Sequence, residues 1–172
     1  MIFFEKKEKS IITDLFYCEI MTKFTCICSN VIYNFQNVLD IPLLIPVNIN
    51  KNYLKQLFKI YCRSETVNFT NLCEKCQKKS IHQKVFIIAK THEILKISLQ
   101  RIDPSNQLKN DCYVDFPLLL DLKDFEDKDL GFIRESRYNL YSVINHYGVV
   151  NFGHYNSIIK IGKNNNWYCF DD

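Results

Sequence analysis

A histidine and an aspartate close to the C-terminal end of the chain have the residue types and spacing of a catalytic pair. His154 stands in a Gly-His-Tyr triplet, and Asp171 lies in a Trp-x-x-Phe-Asp-Asp run further along. An alternating segment and a polar turn, Gly162 to Asn166, separate them, which predicts two strands joined by a tight turn. Such a hairpin brings the imidazole and the carboxylate face to face. The pair is then the orienting half of a nucleophilic triad, in which the acid fixes the imidazole tautomer and the imidazole activates a Cys or Ser.

The other histidines and the terminal acid have less specific contexts. We predict that His146 lies on the loop before His154, where it shapes the loop or faces substrate. Asp172 is expected to support Asp171 through a hydrogen bond. The alternative is that Asp172 is only the charged end of the sequence. His82 and His92 have no partner motif, so we expect structural or exposed positions for them.

Four cysteines have the pattern of a metal site. Cys73 and Cys76 have the two-residue gap of a zinc knuckle, which points both thiolates at one ion while backbone amides stabilise the sulfur charge. Cys26 and Cys28 are the candidates for the other half of a zinc ribbon, although a one-residue gap is less usual. The alternative is that the four are small apolar residues or relics of a lost site. The remaining cysteines are interpreted as core residues: Cys18, Cys62, Cys112 and Cys169.

The elements that must position these groups are mostly strands. The pattern predicts a strand or strand pair over Ile11 to Phe24, an amphipathic helix from about Lys51 to Cys62, and a polar connection over Arg63 to Asn71. Further β-type runs are Val31 to Pro46, Val85 to Ala89, Ile94 to Ile102, Tyr113 to Phe116 and Leu118 to Leu122. Loops are expected over Asp103 to Asn110 and Asp121 to Asp129. The fold class is therefore α+β, mostly antiparallel β with one clear helix.

The composition of the chain limits the classes of function that it can have. A chain of 172 residues with 47% hydrophobic content can bury the core of one domain, or of a large part of one. The net charge is +3 with dispersed lysines, so neither a nucleic-acid nor a membrane partner is predicted. The longest apolar run, Ile41 to Val47, contains two prolines and cannot span a bilayer. The N-terminus is too charged for a secretory signal, so a cytoplasmic or nuclear location with reduced cysteines is expected.

Taken together, these residues resemble the C-terminal half of a ubiquitin-specific protease (deubiquitinase) catalytic domain, the fingers and palm of a papain-like cysteine peptidase. The paired cysteines resemble its zinc-ribbon fingers, and Asp14 to Tyr17 and Leu99 to Ile102 resemble its first palm segment and its LKRF strand. A K…VxFP segment is matched by Lys109, Val114, Asp115, Phe116 and Pro117. Its His box is matched by Tyr138, Leu140, Ser142, Val143, His146, Gly148, Gly153, His154, Tyr155, Trp167, Phe170 and Asp171.

The resemblance implies a division of the chain and a set of roles. About 11–90 would form the fingers and the start of the palm with one helix, and about 91–172 the palm with the His box. His154 would be the general base, Asp171 the orienting acid and Asp172 a supporting hydrogen bonder. Cys26, Cys28, Cys73 and Cys76 would hold one structural zinc. Substrate-facing positions would be His146, Gly148, Phe152, Gly153 and Tyr155.

The chain also departs from the family pattern. The first cysteine pair is CxC instead of CxxC, Thr91-His92 replaces a Leu-Pro pair, and Phe152 replaces a small residue before the Gly-His-Tyr triplet. A bulky ring there narrows the path of a ubiquitin tail. The family's nucleophilic cysteine lies in a GNTCYxNS-like segment of the thumb, which this sequence does not contain.

Two functions follow from these features as expectations. The first is part of a deubiquitinase, truncated or completed by a separate thumb polypeptide and catalytically silent alone. The second is a non-catalytic ubiquitin-binding or scaffold protein. A zinc-ribbon nucleic-acid binder is a third interpretation, which the scattered charge disfavours.

Overall fold

A short helix opens the part of the chain that the computed structural model describes, which comprises residues 10–46, 51–103, 108–125, 136–162, 164 and 166–171. Helix α1 spans Ile11–Phe16. The Ser10 hydroxyl accepts from the Thr13 backbone N–H, and the Thr13 hydroxyl accepts from the Ser10 N–H, which together form a capping box. The strand predicted over Ile11 to Phe24 is therefore wrong in its first half, because this cap starts a helix there in spite of the loose alternation.

A four-stranded sheet forms the part of the molecule that carries the cysteine pairs. Its strands are β1 (Cys18–Cys26), β2 (Val31–Val38), β5 (Glu65–Asn68) and β6 (Ile81–Lys90), and their order is β2-β1-β6-β5. All neighbours in this sheet are antiparallel. Strand β5 lies inside the segment predicted to be a polar connection. Its exposed, polar residues explain why its pattern does not indicate a strand.

A mixed region of strands and one helix supplies the core. Strand β3 (Ile41–Leu44) pairs in parallel with β7 (Ile97–Gln100), and β4 (Lys51–Tyr53) pairs in parallel with β8 (Tyr113–Asp115). Helix α2 (Leu54–Tyr61) follows β4 directly and buries Leu54, Leu57 and Phe58. The helix predicted from about Lys51 is therefore confirmed but begins later. The buried apolar cluster comprises Cys18, Ile20, Ile41, Leu43, Ile45, Leu54, Leu57, Phe58, Ile88, Val114, Leu120, Leu122 and Phe125.

The C-terminal third is a set of short antiparallel pairings. Strand β9 (Leu119–Asp121) pairs with β10 (Arg137–Asn139), and a 3-10 helix spans Lys123–Phe125. Strands β11 (Ser142–Val149), β12 (Phe152–Ile161) and β13 (Asn166–Asp171) form a sheet in chain order. This arrangement confirms the predicted hairpin at the end of the chain. Parts of the loops predicted over Asp103 to Asn110 and Asp121 to Asp129 lie outside the described residues, as does Asp172.

The α+β class with mostly antiparallel pairing is confirmed, and two details differ. The described residues contain two α-helices where one was predicted. They also contain parallel pairs, which no local pattern reveals, since residues far apart in the sequence form them. No helix in the described ranges is long and apolar enough to cross a membrane.

Candidate active site and metal site

His154 and Asp171 are brought together by the pairing of strands β12 and β13. Asp171 lies opposite Asn156, two residues beyond His154, so the two side chains are diagonal neighbours on one face of the sheet. The His154 Nε2 atom hydrogen bonds to the Asp171 carboxylate. This bond fixes the imidazole so that Nδ1 is the ring nitrogen through which a proton can be exchanged with a nucleophile. About half of each side chain, 48% and 53%, is exposed.

His146 lies in strand β11 and not on a loop, which corrects the prediction. It pairs with Tyr155, and the two rings are tilted with centroids 4.6 Å apart. Its ring also covers Gly153, since a Cβ atom at Gly153 would clash with His146 Nε2 and would lie 2.6 Å from the Tyr147 carbonyl oxygen. Only glycine fits that position beside His154. The structure thus gives His146 and Gly153 a packing role, while substrate contact remains a prediction for both.

Two further substrate-facing candidates lie at the β11–β12 turn. Gly148 has a φ of +108°, and a Cβ atom there would lie 2.5 Å from the Phe152 carbonyl oxygen. The register places Phe152 on the same face as His154, two residues away along β12. The Phe152 side chain is 81% exposed, the highest value among the large apolar residues of the described chain. The solvent-exposed ring of Phe152 therefore lies next to His154, the candidate base.

Lys109 supports this turn, a role that the sequence pattern does not reveal. Its ammonium donates to the carbonyl oxygens of His146 at 3.1 Å and Gly148 at 2.9 Å, and it pairs with Asp111 at 3.1 Å. These carbonyls flank Tyr147, the residue opposite His154. With 13% of its side chain exposed, Lys109 is a partly buried cation that ties β11 to the loop before β8.

The chain's eight cysteines form no disulfide. Cys169 is exposed, which corrects its interpretation as a core residue, and shares the face of Asp171. It pairs with Ile158, four residues from His154, a separation of roughly 13 Å at the rise of a β-strand. Cys18 is fully buried on β1, and burial raises the pKa of its thiol to about 11. Cys18 is thus kept as a neutral thiol, and Cys169 lies beyond hydrogen-bond reach of His154.

The four predicted metal ligands converge at the tip of the four-stranded sheet. The Sγ atoms of Cys26, Cys28, Cys73 and Cys76 all lie within 4.8 Å of one another. The Cys26–Cys76 and Cys28–Cys73 sulfur separations are 3.9 and 3.6 Å. Four thiolates around one zinc at the usual bond length are about 3.8 Å apart, so this donor set fits a tetrahedral zinc ion. The cluster can hold a metal ion as predicted.

The two cysteine pairs lie in loops that have the same pattern of backbone hydrogen bonds. The first loop is one residue shorter than the second. In the second loop, the Cys73 N–H donates to the Lys78 carbonyl and the Gln77 N–H donates to the Cys73 carbonyl. In the first loop, the Cys26 N–H donates to the Asn30 carbonyl and the Ser29 N–H donates to the Cys26 carbonyl. The residue after each second cysteine is left-handed, with φ of 66° at Ser29 and 55° at Gln77. The CxC spacing is therefore a shortened knuckle.

Hydrogen-bond donors surround the first sulfur of each pair. The Ser80 hydroxyl lies 3.1 Å from Cys26 Sγ. That contact, followed by the Cys28 backbone N–H, lowers the pKa of Cys26 to about 6. The backbone N–H of Cys76, followed by that of Lys75, lowers the pKa of Cys73. Both sulfurs are thus in surroundings that favour the thiolate, the form that ligates metal.

Comparisons with known proteins agree with this architecture. The sequence pattern of a family described as ubiquitin carboxyl-terminal hydrolase matches residues 4–172. Ubiquitin carboxyl-terminal hydrolase 4 of Saccharomyces cerevisiae is 30% identical over 185 aligned positions, which cover 95% of this chain and 20% of that protein. Ubiquitin carboxyl-terminal hydrolase 2 of Gallus gallus is 28% identical over 98% of this chain and 48% of its own length.

Solved structures show the same fold. The structure of the SAGA Ubp8/Sgf11/Sus1/Sgf73 DUB module bound to ubiquitin aldehyde contains a chain that is 25% identical, with a TM-score of 0.83. A second structure of that module, with a substituted Ubp8 and a shortened Sgf11, gives a TM-score of 0.85, and each match covers 98% of this chain and 38% of the other. The chain thus spans between a fifth and a half of the length of these relatives. On the match over nearly its whole length, it belongs to the ubiquitin carboxyl-terminal hydrolase family.

Proposed function

We propose that this chain is the fingers-and-palm part of a cysteine deubiquitinase, in which His154 is the general base and Asp171 the orienting acid. The bond between His154 Nε2 and the Asp171 carboxylate is the observation that carries this proposal. With Nε2 bonded to the acid, we assign the exchange of protons with the nucleophile to Nδ1, which is the arrangement that a Cys-His-acid triad requires.

The reaction follows from these positions. His154 Nδ1 takes the proton of a cysteine thiol, and the thiolate attacks the carbonyl carbon at the C-terminal glycine of ubiquitin. The same nitrogen gives its proton to the leaving amine, so that a thioester remains. Water, deprotonated by His154, then hydrolyses the thioester and restores the thiol. Asp171 stabilises the imidazolium in both steps and keeps the ring in its tautomer.

We assign the thiol to residues other than these 172. Four cysteines converge on the metal site, burial raises the pKa of Cys18 and Cys62, the Cys112 sulfur accepts a hydrogen bond from Asn52, and Cys169 pairs with a residue four positions from His154. We propose that a thumb segment supplies it, whether from the same polypeptide or from a separate one. The thumb would also cover exposed apolar residues on the His154 face of the β11–β13 sheet, which include Tyr147, Val149 and Phe152.

A ubiquitin C-terminal electrophile tests this proposal. The 172-residue chain alone is expected to form no adduct, whereas the chain mixed with a relative's thumb polypeptide carrying the family's cysteine is expected to form one on that cysteine. The His154→Ala chain with the same thumb is the control and should form the adduct far more slowly. An adduct on the isolated chain, or equal rates with the His154→Ala chain, would contradict the assignment.

The partners of the relatives suggest those of this chain. One of the solved Ubp8 modules is bound to ubiquitin aldehyde and contains three further subunits. We propose ubiquitin or a ubiquitinated protein as the substrate, and a complementing thumb or a scaffold subunit as a stable partner. The exposed apolar sheet residues then predict association or poor solubility of the isolated chain, and a monodisperse monomer at high concentration would contradict that expectation.

A second candidate function is ubiquitin binding without catalysis, which the exposed Phe152 ring beside His154 favours. A ring on that face can obstruct the tail while the remaining surface binds ubiquitin. Measuring Phe152→Ser and wild-type chains with the thumb separates the two functions. Hydrolysis that appears only in the Phe152→Ser chain, with ubiquitin binding unchanged, indicates a binding protein. Hydrolysis by both indicates an enzyme.

A further inference from the structure

The shortened first knuckle lacks one hydrogen-bond donor that the second knuckle has. In the second knuckle, the backbone N–H of Cys76, followed by that of Lys75, lowers the pKa of Cys73. In the first knuckle, the Ser80 hydroxyl lies 3.1 Å from Cys26 Sγ and, ahead of the Cys28 backbone N–H, lowers the pKa of Cys26. This difference follows from the missing residue, because the loop from Cys26 to Asn30 has one amide fewer than the loop from Cys73 to Lys78.

We propose that the Ser80 hydroxyl replaces the missing amide and acts as a positioning residue for metal-bound Cys26. Its Oγ atom lies 3.1 Å from Cys26 Sγ, within the range for hydrogen bonds to sulfur. A metal-bound thiolate carries no proton, so the hydroxyl must be the donor. The inference rests on zinc as the occupant of the four-cysteine site.

The backbone of Ser80 is held so that its hydroxyl stays in place. The Ser80 carbonyl accepts from the Phe69 N–H at 3.3 Å and from His82 Nδ1 at 3.0 Å. His82 is fully buried, and its ring lies 4.4 Å from the ring of Phe69. Because the carbonyl can only accept, Nδ1 carries the proton. A buried histidine that the function does not otherwise use thus serves to anchor this serine.

Zinc affinity of the 172-residue chain tests the proposal, measured by competition with a chromophoric chelator. Groups that hydrogen bond to metal ligands typically contribute 10–100-fold to metal affinity, so Ser80→Ala should lower it by about that factor. Ser80→Thr, which keeps the hydroxyl, should retain most of the affinity. Ser64→Ala is the matched control, because Ser64 hydrogen bonds to Gln83 on the same sheet, outside the cluster, and should bind zinc like the wild type.

Inserting the missing residue tests whether Ser80 acts as a hydrogen-bond donor to Cys26 or only stabilises the structure. With one glycine inserted between Ile27 and Cys28, the loop regains a CxxC spacing and an amide donor. Ser80→Ala in that background should then change zinc affinity by less than about threefold, as expected when a second donor is already present. A loss as large as in the original chain would overturn the proposal.

Alkylation of the zinc-loaded chain gives a readout that does not depend on the insertion. A thiolate that loses a hydrogen bond is a stronger nucleophile, so Ser80→Ala should speed the modification of Cys26 relative to Cys73 by iodoacetamide. Unchanged rates together with unchanged affinity would refute the role of Ser80. A wild-type chain that binds no zinc would instead refute the metal site itself.

Discussion

Asp171 reaches His154 diagonally across two paired strands, since the residue opposite Asp171 is Asn156. The acid and the base are therefore held by the register of β12 and β13 and not by a loop. A shift of one residue in that register would turn one of the two side chains to the other face of the sheet. The geometry of the pair is consequently a property of the hairpin, and Lys109, Gly148 and Gly153 support it at the neighbouring turn.

Removing the acid should leave the fold intact and reduce the reaction rate. Asp171 is half-exposed, so Asp171→Ala leaves no buried charge unpaired. The imidazole then loses its orientation and the stabilisation of its protonated form. We expect hydrolysis of a fluorogenic ubiquitin substrate by the thumb-complemented chain to fall by about 10²–10⁴-fold. Asp171→Asn, which can still accept from Nε2–H, should retain more activity than Asp171→Ala. Equal activity of both variants and the wild type would contradict the role.

Substitution of Gly153 should destabilise the hairpin by a steric route. In Gly153→Ala the new methyl clashes with His146 Nε2 and meets the Tyr147 carbonyl oxygen at 2.6 Å. We expect a loss of about 1–3 kcal/mol in the free energy of unfolding, measured by urea titration. Adding His146→Ala removes the first clash but not the second, so the double variant should recover part of that loss.

Gly162→Ala is the control for the Gly153 series. Nothing lies within 4 Å of a Cβ atom at Gly162, whose φ is +76°. The loss in the free energy of unfolding caused by Gly162→Ala should thus reflect only the left-handed backbone conformation, roughly 1–2 kcal/mol. It should not respond to His146→Ala. If that substitution rescues both glycine variants equally, the steric explanation at Gly153 fails.

Alkaline pH should destabilise the fold through buried thiols. Burial raises the pKa of both Cys18 and Cys62 from an ordinary 9.0 to about 11. Between those values the unfolded chain loses these protons and the folded chain keeps them. The free energy of unfolding should therefore be maintained below pH 9.0 and decline as pH rises toward about 11.

Urea titrations at a series of alkaline pH values check this sign. Cys62→Ala should make the decline shallower, because it removes one of the titrating groups. A stability that rises with pH over this range would show that the buried thiols do not control it.

Loss of one ligand from either knuckle should abolish tight metal binding. The four sulfurs together can supply the four ligands of a tetrahedral ion, so the loss of one leaves its coordination incomplete. We expect one zinc per wild-type chain by elemental analysis after dialysis, and none in Cys28→Ser or Cys76→Ser. Cys169→Ser is the control and should retain one zinc. Full zinc content in Cys28→Ser would exclude the CxC cysteine as a ligand.

Local sequence patterns predict the features that depend on residues close in the chain. The β12–β13 hairpin follows from short-range alternation, helix α2 from helical spacing, and each cysteine pair from its own spacing. The convergence of the two pairs is predicted because one pair supplies only half of a zinc site. Helix α1 has a local signal too, in the capping residues Ser10 and Thr13. That signal is weaker than the alternation that follows it, which is why the strand prediction extends too far toward the N-terminus.

Long-range contacts explain what the sequence could not reveal. The parallel pairing of β3 with β7 joins segments more than fifty residues apart, so no window of the sequence contains both. Ser80 and Lys109 act on Cys26 and on the β11 carbonyls through similar distant contacts. Ser80 belongs to no motif, and the K…VxFP segment that contains Lys109 does not indicate which carbonyls the lysine binds, so only the fold shows what these two side chains contact.

The position of strand β13 determines which site should be lost first when the molecule unfolds locally. All six of its residues are exposed, and within the described ranges it pairs with β12 on one side and with no strand on the other. Its backbone amides should exchange with solvent at a much lower opening free energy than those of β1 and β6, which pair on both sides. Fraying at this margin would separate Asp171 from His154 while the metal site and the core remain folded.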